Sequence, residues 1–197
     1  MKKLMVVFGL LFFLTGCMMI NEQMLRKVNM FPPQKQEMTV EVKTGKLIQK
    51  LNGEGQNRGV FSGTTVLNSV AKSIMTRWKE KNIIADYAFP GELKKEPDYT
   101  ITLSGERNED GSMLAALLGG LTLGILPSSV TLTYELDFEF INNHTQKHYN
   151  VKVKNAVTTI SQIFLIVALP VSMTGATDAI NDMADNLYDE LNKQGAF

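Results

Sequence analysis

The sequence predicts an α+β fold: a two-layer sandwich in which a four-stranded, mostly antiparallel sheet carries two amphipathic helices on one face. Three observations predict it. Val130, Leu132, Tyr134, Leu136, Phe138 and Phe140 occupy every second position, with Thr131, Thr133, Glu135, Asp137 and Glu139 between them, which is the period of a half-buried strand. Val66, Val70, Ile74 and Trp78 recur every four residues, flanked by Leu67, Ala71 and Met75, which is the period of a helix with one apolar stripe. Ala176, Ala179, Ile180, Met183, Leu187 and Leu191 form a second such stripe near the C-terminus.

The elements follow in chain order. Met38, Val40 and Val42 alternate with Thr39, Glu41 and Lys43, a first strand that Leu47, Ile48 and Leu51 can prolong past Gly45. The next stretch, NGEGQNRGVFSG, invites comparison with a phosphate cradle. Its glycine spacing fits neither the dinucleotide fingerprint nor the P-loop, and no Lys-Ser/Thr follows, so it reads as a connection. Thr64 or Thr65 can cap the first helix, which runs to about Asn82. Tyr99, Ile101 and Leu103 give a short second strand, after which GERNEDG turns the chain. The third strand spans Val130 to Phe140. Beyond NNHTQKH, Tyr149, Val151, Val153 and Val157 mark the returning strand.

Charge selects the register of that hairpin. Setting Asp137 opposite Lys152 also sets Glu135 opposite Lys154, Phe138 against Val151 and Leu136 against Val153. Each such pair contributes ~0.2–1 kcal/mol. The turn then centres on His144-Thr145. A turn at Asn142-Asn143 has better intrinsic chemistry but loses both acid–lysine pairs. The last helix runs from about Gly175 to Lys193, capped by Thr174 or Thr177. Asp178, Asp182, Asp185, Asp189 and Glu190 point largely to water.

The chain has 197 residues, 44% hydrophobic and 20% charged, which suits one globular domain. Lys plus Arg equals Asp plus Glu at 20 each, so no overall field draws it to nucleic acid. The first seventeen residues, MKKLMVVFGLLFFLTGC, are a leader rather than fold: Lys2 and Lys3 are followed by an apolar run from Leu4 to Leu14. Leu14-Thr15-Gly16-Cys17 resembles the lipobox of bacterial lipoproteins. The resemblance implies cleavage before Cys17, diacylation of its thiol and acylation of the new amino terminus. The alternative is an uncleaved membrane anchor with an incidental cysteine. Cys17 is the only cysteine, so no disulfide competes for it, and three acyl chains anchor far better than one. Met18 rather than Asp after the cysteine implies, by the same resemblance, the outer membrane and its periplasmic face. The expected organisation is a signal peptide over 1–16, a lipidated tether over 17–37 that includes Pro32-Pro33, and one α+β domain over 38–197. The element order with lipidation resembles small outer-membrane lipoproteins of the LptE and YajG kind, and LLGGLTLGILP resembles a tract of the phage Bor lipoprotein.

Two apolar tracts, 113–127 and 160–170, interrupt the domain. A spanning helix needs ~20 apolar residues. Each tract is shorter and closes on a proline, Pro127 or Pro170, so neither spans alone. The register above sets Ser129 opposite Ile160, so both leave the open end of one hairpin. Either they form a tip that meets one leaflet through Leu114, Leu117, Leu118, Leu121, Ile125, Ile163, Phe164 and Ile166, or they are buried between sheet and helices.

No catalytic constellation emerges. His144 and His148 are the only histidines and read as solvated turn residues; a structural zinc site wants four ligands, and no cysteine is free to help. No G-x-S-x-G is present. Glu135, Asp137 and Glu139 read as the wet face of a strand, and Trp78 as core. The expectation is a non-enzymatic envelope lipoprotein, without metal or cofactor. It is held by membrane lipid through Cys17 and binds or supports another envelope protein or lipid. The alternative is a subunit of a membrane-inserting oligomer that uses the tracts. An enzyme acting on lipid or peptidoglycan ranks behind both.

Overall fold

Alternating apolar residues build one mixed sheet, and the two striped helices close over its apolar side. A computed structural model describes residues 16–34, 36–55, 63–92, 95–112, 117, 121, 128–162 and 174–197. The strands are β1 (Gly16–Asn21), β2 (Thr39–Leu51), β3 (Glu54–Gly55), β4 (Asp86–Ala88), β5 (Tyr99–Gly111), β6 (Ser128–Asn142) and β7 (Lys147–Gln162). The helices are α1 (Gly63–Glu80) and α2 (Gly175–Lys193).

The expected four-stranded, mostly antiparallel sandwich is not what forms. The sheet runs β1-β7-β6-β5-β2-β3, with β4 beside β2, and it is mixed and curled into a half-barrel. The fold remains α+β with two helices. The error has a physical source. Alternation tells which face of a strand is buried but not which way the strand runs. β2 pairs in parallel with β5 and β4 because α1 carries the chain back to the end from which β2 started. The extra strand β1 lies N-terminal to the expected domain.

The long hairpin keeps the register that charge selects. Asp137 faces Lys152, Glu135 faces Lys154, Phe138 faces Val151 and Leu136 faces Val153. The turn occupies the residues between Asn142 and Lys147. Asn142 helps through its side chain: its Oδ1 accepts from the backbone N–H of His144 and of Thr145.

GERNEDG is not a turn. β5 runs through it to Gly111, and Gly105 is where it bends. Gly105 has φ +149°, and a Cβ there would fall on the Glu135 carbonyl and 2.9 Å from Leu136 Cα. At the same level β2 shifts register between Thr44 and Leu47. A bulge and a glycine side by side are the devices that curl a sheet.

The core lies between the sheet and the helices. Val40, Val42, Ile101, Leu103, Leu136 and Phe140 meet Leu67, Ile74, Trp78, Met183 and Leu187 there. Trp78 is fully buried, as its stripe predicts; its Nε1–H donates to the Ala184 carbonyl (2.8 Å), and its ring meets Phe140 edge-on. α2 spans the expected residues, but Thr174 makes no side-chain cap bond. Asp182 and Asp185, expected to face water, are buried. Arg77 of α1 grips Asp185 with two hydrogen bonds (3.0 and 2.8 Å), and Lys27 reaches Asp182 at 2.8 Å. The hydrogen bonds to Asp185 hold the Arg77 guanidinium above its ordinary pKa, against the opposing effect of burial. Their helical spacing places these acids beside α1 and the N-terminal segment, and only the packed structure reveals that both bring cations.

Candidate functional site

Three strand ends meet at one place. Cys17 pairs with Ser161 of β7, and Ser161 pairs with Ser128 of β6. Gly16 lies against Gln162, the last residue of β7. The residue expected to carry lipid therefore lies beside the end of β7, where the second apolar tract departs, and the start of β6, where the first arrives. Ser129 lies opposite Ile160 as expected. Of the eight membrane-contact candidates, Leu117 and Leu121 are described, and they are 59% and 72% exposed. Leu114, Leu118, Ile125, Ile163, Phe164 and Ile166 lie outside the described residues.

β1 and the adjoining ends of β7 and β6 carry no charge of their own, although Asp110 of β5 pairs directly with Thr131. Residues 16–20, 128–134 and 156–162 include no Asp, Glu, Lys, Arg or His. On one face the hydroxyls of Thr131 and Thr158 satisfy each other at 2.7 Å. On the other a cavity of about 130 Å³ is lined by Met19, Leu132, Tyr134, Val157, Ile180 and Met183, among others. Burial pushes the Tyr134 phenol up from its ordinary pKa. Further along the hairpin the charges begin at once. Lys152 lies 3.0 Å from Glu135 and 3.4 Å from Asp137, and Lys154 lies 3.6 Å from Glu135. The Lys152 hydrogen bond holds the Glu135 carboxyl below its usual range.

The N-terminal segment is fastened to the domain. Residues 17–21, expected to begin a tether, run as β1. Gly175 at the start of α2 sits directly under the Met19 carbonyl, where any Cβ would collide. Asn21 Nδ2 donates to Asp182 at 2.7 Å, and the Glu22 N–H donates to the Ala156 carbonyl at 3.0 Å. Asn186 Nδ2 donates to the Arg26 carbonyl at 2.7 Å, and the Arg26 guanidinium pairs with Asp189. Phe31 stacks on Tyr188 with centroids 5.9 Å apart. Sequence reasoning missed this clasp. Met18-Met19-Ile20 shows no alternation, and the partners of Asn21 and Arg26 lie some 160 residues away.

On the face that carries Thr131 and Thr158 the curled sheet forms a polar hollow of about 710 Å³, bordered also by Glu22, Lys50, Glu106, Asp110, Glu135 and Lys154. Within it Lys50 lies 2.5 Å from Glu106, and Lys154 lies 3.6 Å from Glu135. The two histidines engage separate carboxylates, His144 with Asp98 at 2.9 Å and His148 with Glu139 at 3.1 Å. The His144 hydrogen bond lowers the Asp98 carboxyl, as do bonds from the N–H and hydroxyl of Thr39, while burial opposes them. Among the described residues no group of three metal-binding side chains occurs, and no helix is long and apolar enough to cross a membrane.

No family model matches the chain, and no curated protein matches it in sequence. Among solved structures, it is similar to a Xanthomonas campestris protein of the family DUF330. That match has 14% identity and a TM-score of 0.46, and it covers 86% of this chain and 94% of that one. It is also similar to PelC from Paraburkholderia phytofirmans, solved as a dodecamer of a point variant. There the identity is 15%, the TM-score 0.34, and the coverage 87% and 96%.

Proposed function

We propose that this chain is a lipid-anchored protein of the bacterial cell envelope. It is held on the periplasmic face of the outer membrane by acylated Cys17, and it binds or supports another envelope component without catalysis. One observation carries the reading: Cys17, the end of β7 and the start of β6 share one end of the sheet, so the acylation residue and both apolar tracts leave the domain together. A protein already held at a bilayer by lipid gains further contact area from apolar tracts at the same end. The exposure of Leu117 and Leu121 supports this. Polar groups elsewhere favour a binding role over chemistry: both lysines of the hollow are paired with an acid, and each histidine has its own carboxylate.

Two measurements test it. Wild-type chain expressed with its own leader incorporates labelled palmitate, and Cys17→Ser does not. The Cys17→Ser protein, exported by a non-lipoprotein signal, floats with liposomes, and Leu117→Asp or Ile166→Asp releases it. Absence of palmitate removes the anchor. A domain that stays soluble beside liposomes returns the tracts to the core and leaves an ordinary tethered domain.

A further inference from the structure

The apolar cavity under α2 lies next to a cation with an unmet hydrogen bond. Its volume is about 130 Å³, and Met19, Leu132, Val157, Ile180 and Met183 give it apolar walls between α2 and the inner face of β1, β6 and β7. Asn155 also borders it but is engaged: Nδ2 donates to the Ala179 carbonyl at 3.1 Å, and Oδ1 accepts from the Ala156 N–H at 2.9 Å. An apolar space of this size stays dry and accepts a hydrocarbon fragment of about six carbons, as cavities of ~150 Å³ take up benzene.

Tyr134 carries the site from the cavity toward β5. It forms part of the cavity wall and pairs directly with Arg107. Opposed residues of an antiparallel pair share a face, with Cβ atoms ~4.5–5.5 Å apart. Burial raises the Tyr134 phenol pKa, and the nearby charge of Arg107 works against that rise. Only part of the Arg107 fork is in use. Its Nη2 lies 3.2 Å from a carboxylate oxygen of Glu109, whereas its Nε is buried and has no hydrogen-bond partner. A guanidinium N–H closed off from water costs free energy until an acceptor reaches it. The planar fork best suits a carboxylate. Glu106 and Asp110, the other acids of this stretch of β5, border the hollow on the opposite face.

We propose that the cavity under α2, together with Arg107, binds a single-chain anionic amphiphile of the fatty-acid kind. The hydrocarbon end fills the cavity, the chain passes Tyr134, and the carboxylate meets the Arg107 guanidinium. The proposal rests on the binding role given above and names a ligand class for it. It does not depend on acylation of Cys17.

The test uses the exported Cys17→Ser protein with isotopically labelled methionine methyl groups, titrated in the NMR tube with octanoate, octanol or octylammonium. Met19 and Met183 line the cavity and report on it, whereas Met24 and Met30 are exposed and report on adsorption to the surface. Octanoate is expected to shift the Met19 and Met183 resonances saturably, and to bind at least about tenfold more tightly than octanol or octylammonium, as a hydrogen bond to a charged group implies. Arg107→Gln is expected to reduce octanoate to the level of octanol. Ala176→Leu, which fills the cavity from α2, is expected to abolish the shifts with the circular dichroism of the parent retained. Should that variant not fold, the three amphiphiles and Arg107→Gln decide alone. Met19 and Met183 resonances that octanoate leaves in place, or moves only together with those of Met24 and Met30, overturn the site. Equal affinity for all three amphiphiles overturns the anionic ligand. Palmitate on the wild-type chain reads the anchor separately, so octanoate binding without palmitate removes the anchor and keeps the site.

Discussion

Replacing Arg77 by Met should destabilise the domain more than replacing Asp185, the other half of the same ion pair. Arg77 leaves α1 and binds both oxygens of Asp185 on α2. The two ends differ in access to water: the side chain of Asp185 is 9% exposed and that of Arg77 is 23% exposed. Met keeps the aliphatic stem that packs beside the helix. It leaves a nearly buried carboxylate without its cation, and the neighbouring Asp182 already holds Lys27. Breaking a buried pair from one side costs about 3–5 kcal/mol. The partial exposure of Arg77 places the expected loss at the lower end, about 3 kcal/mol. Asp185→Asn preserves shape and one acceptor, and the guanidinium can turn to water, so about 1–1.5 kcal/mol is expected. Arg77→Met with Asp185→Leu removes both charges together and should cost less than Arg77→Met alone. Urea unfolding of the unlipidated Cys17→Ser chain, followed by far-UV circular dichroism, reads all three. A loss of 3 kcal/mol corresponds to about 6–12 °C in Tm for a chain of this size. The reasoning fails if Asp185→Asn proves the costlier single change, or if the double variant is the least stable of the three.

Other expectations follow from the same packing. Gly105→Ala should cost more than about 3 kcal/mol or prevent folding, because strain at positive φ adds to a collision with backbone atoms of β6 that no side-chain movement relieves; Gly53→Ala, where nothing lies within 4 Å, is the control for positive φ alone. For Asp98 the folded carboxyl lies below its ordinary pKa of about 3.9. Below that value the unfolded chain binds more protons, so the contribution is present above about pH 4 and is lost as pH falls through the depressed folded value. Acid titration of stability should therefore fall less steeply in Asp98→Asn than in wild type, and parallel curves would remove the His144 and Thr39 bonds from the account.

The parts of the fold legible in the sequence are those set by neighbours along the chain. α2 begins and ends where its stripe does, Trp78 is core, and the β6–β7 register follows from the Glu135–Lys154 and Asp137–Lys152 oppositions. The parts that were not legible depend on distant partners. The parallel pairing of β2 with β5 follows from where α1 delivers the chain, which no residue in either strand records. GERNEDG looks like a turn because glycine and charges crowd it, yet Gly105 bends a continuous strand whose inner neighbour is Leu136. Asp182 and Asp185 look like a wet helix face until Lys27 and Arg77 arrive from other parts of the chain.

The same division holds for the candidate site. The sequence by itself determined that the one cysteine follows a short apolar run, that two apolar tracts are too short to span a bilayer, and that both adjoin one hairpin. These are properties of length, order and alternation, which survive without a fold. Only the tertiary structure decided that Cys17 lies on that hairpin's edge, that Gly175 and Asp182 lock the strand in place, and that three separate segments join at one end of the sheet. Sheet pairing and helix packing join residues as far apart as Asn21 and Asp182, and the free energy of such contacts exists only once the intervening chain has folded.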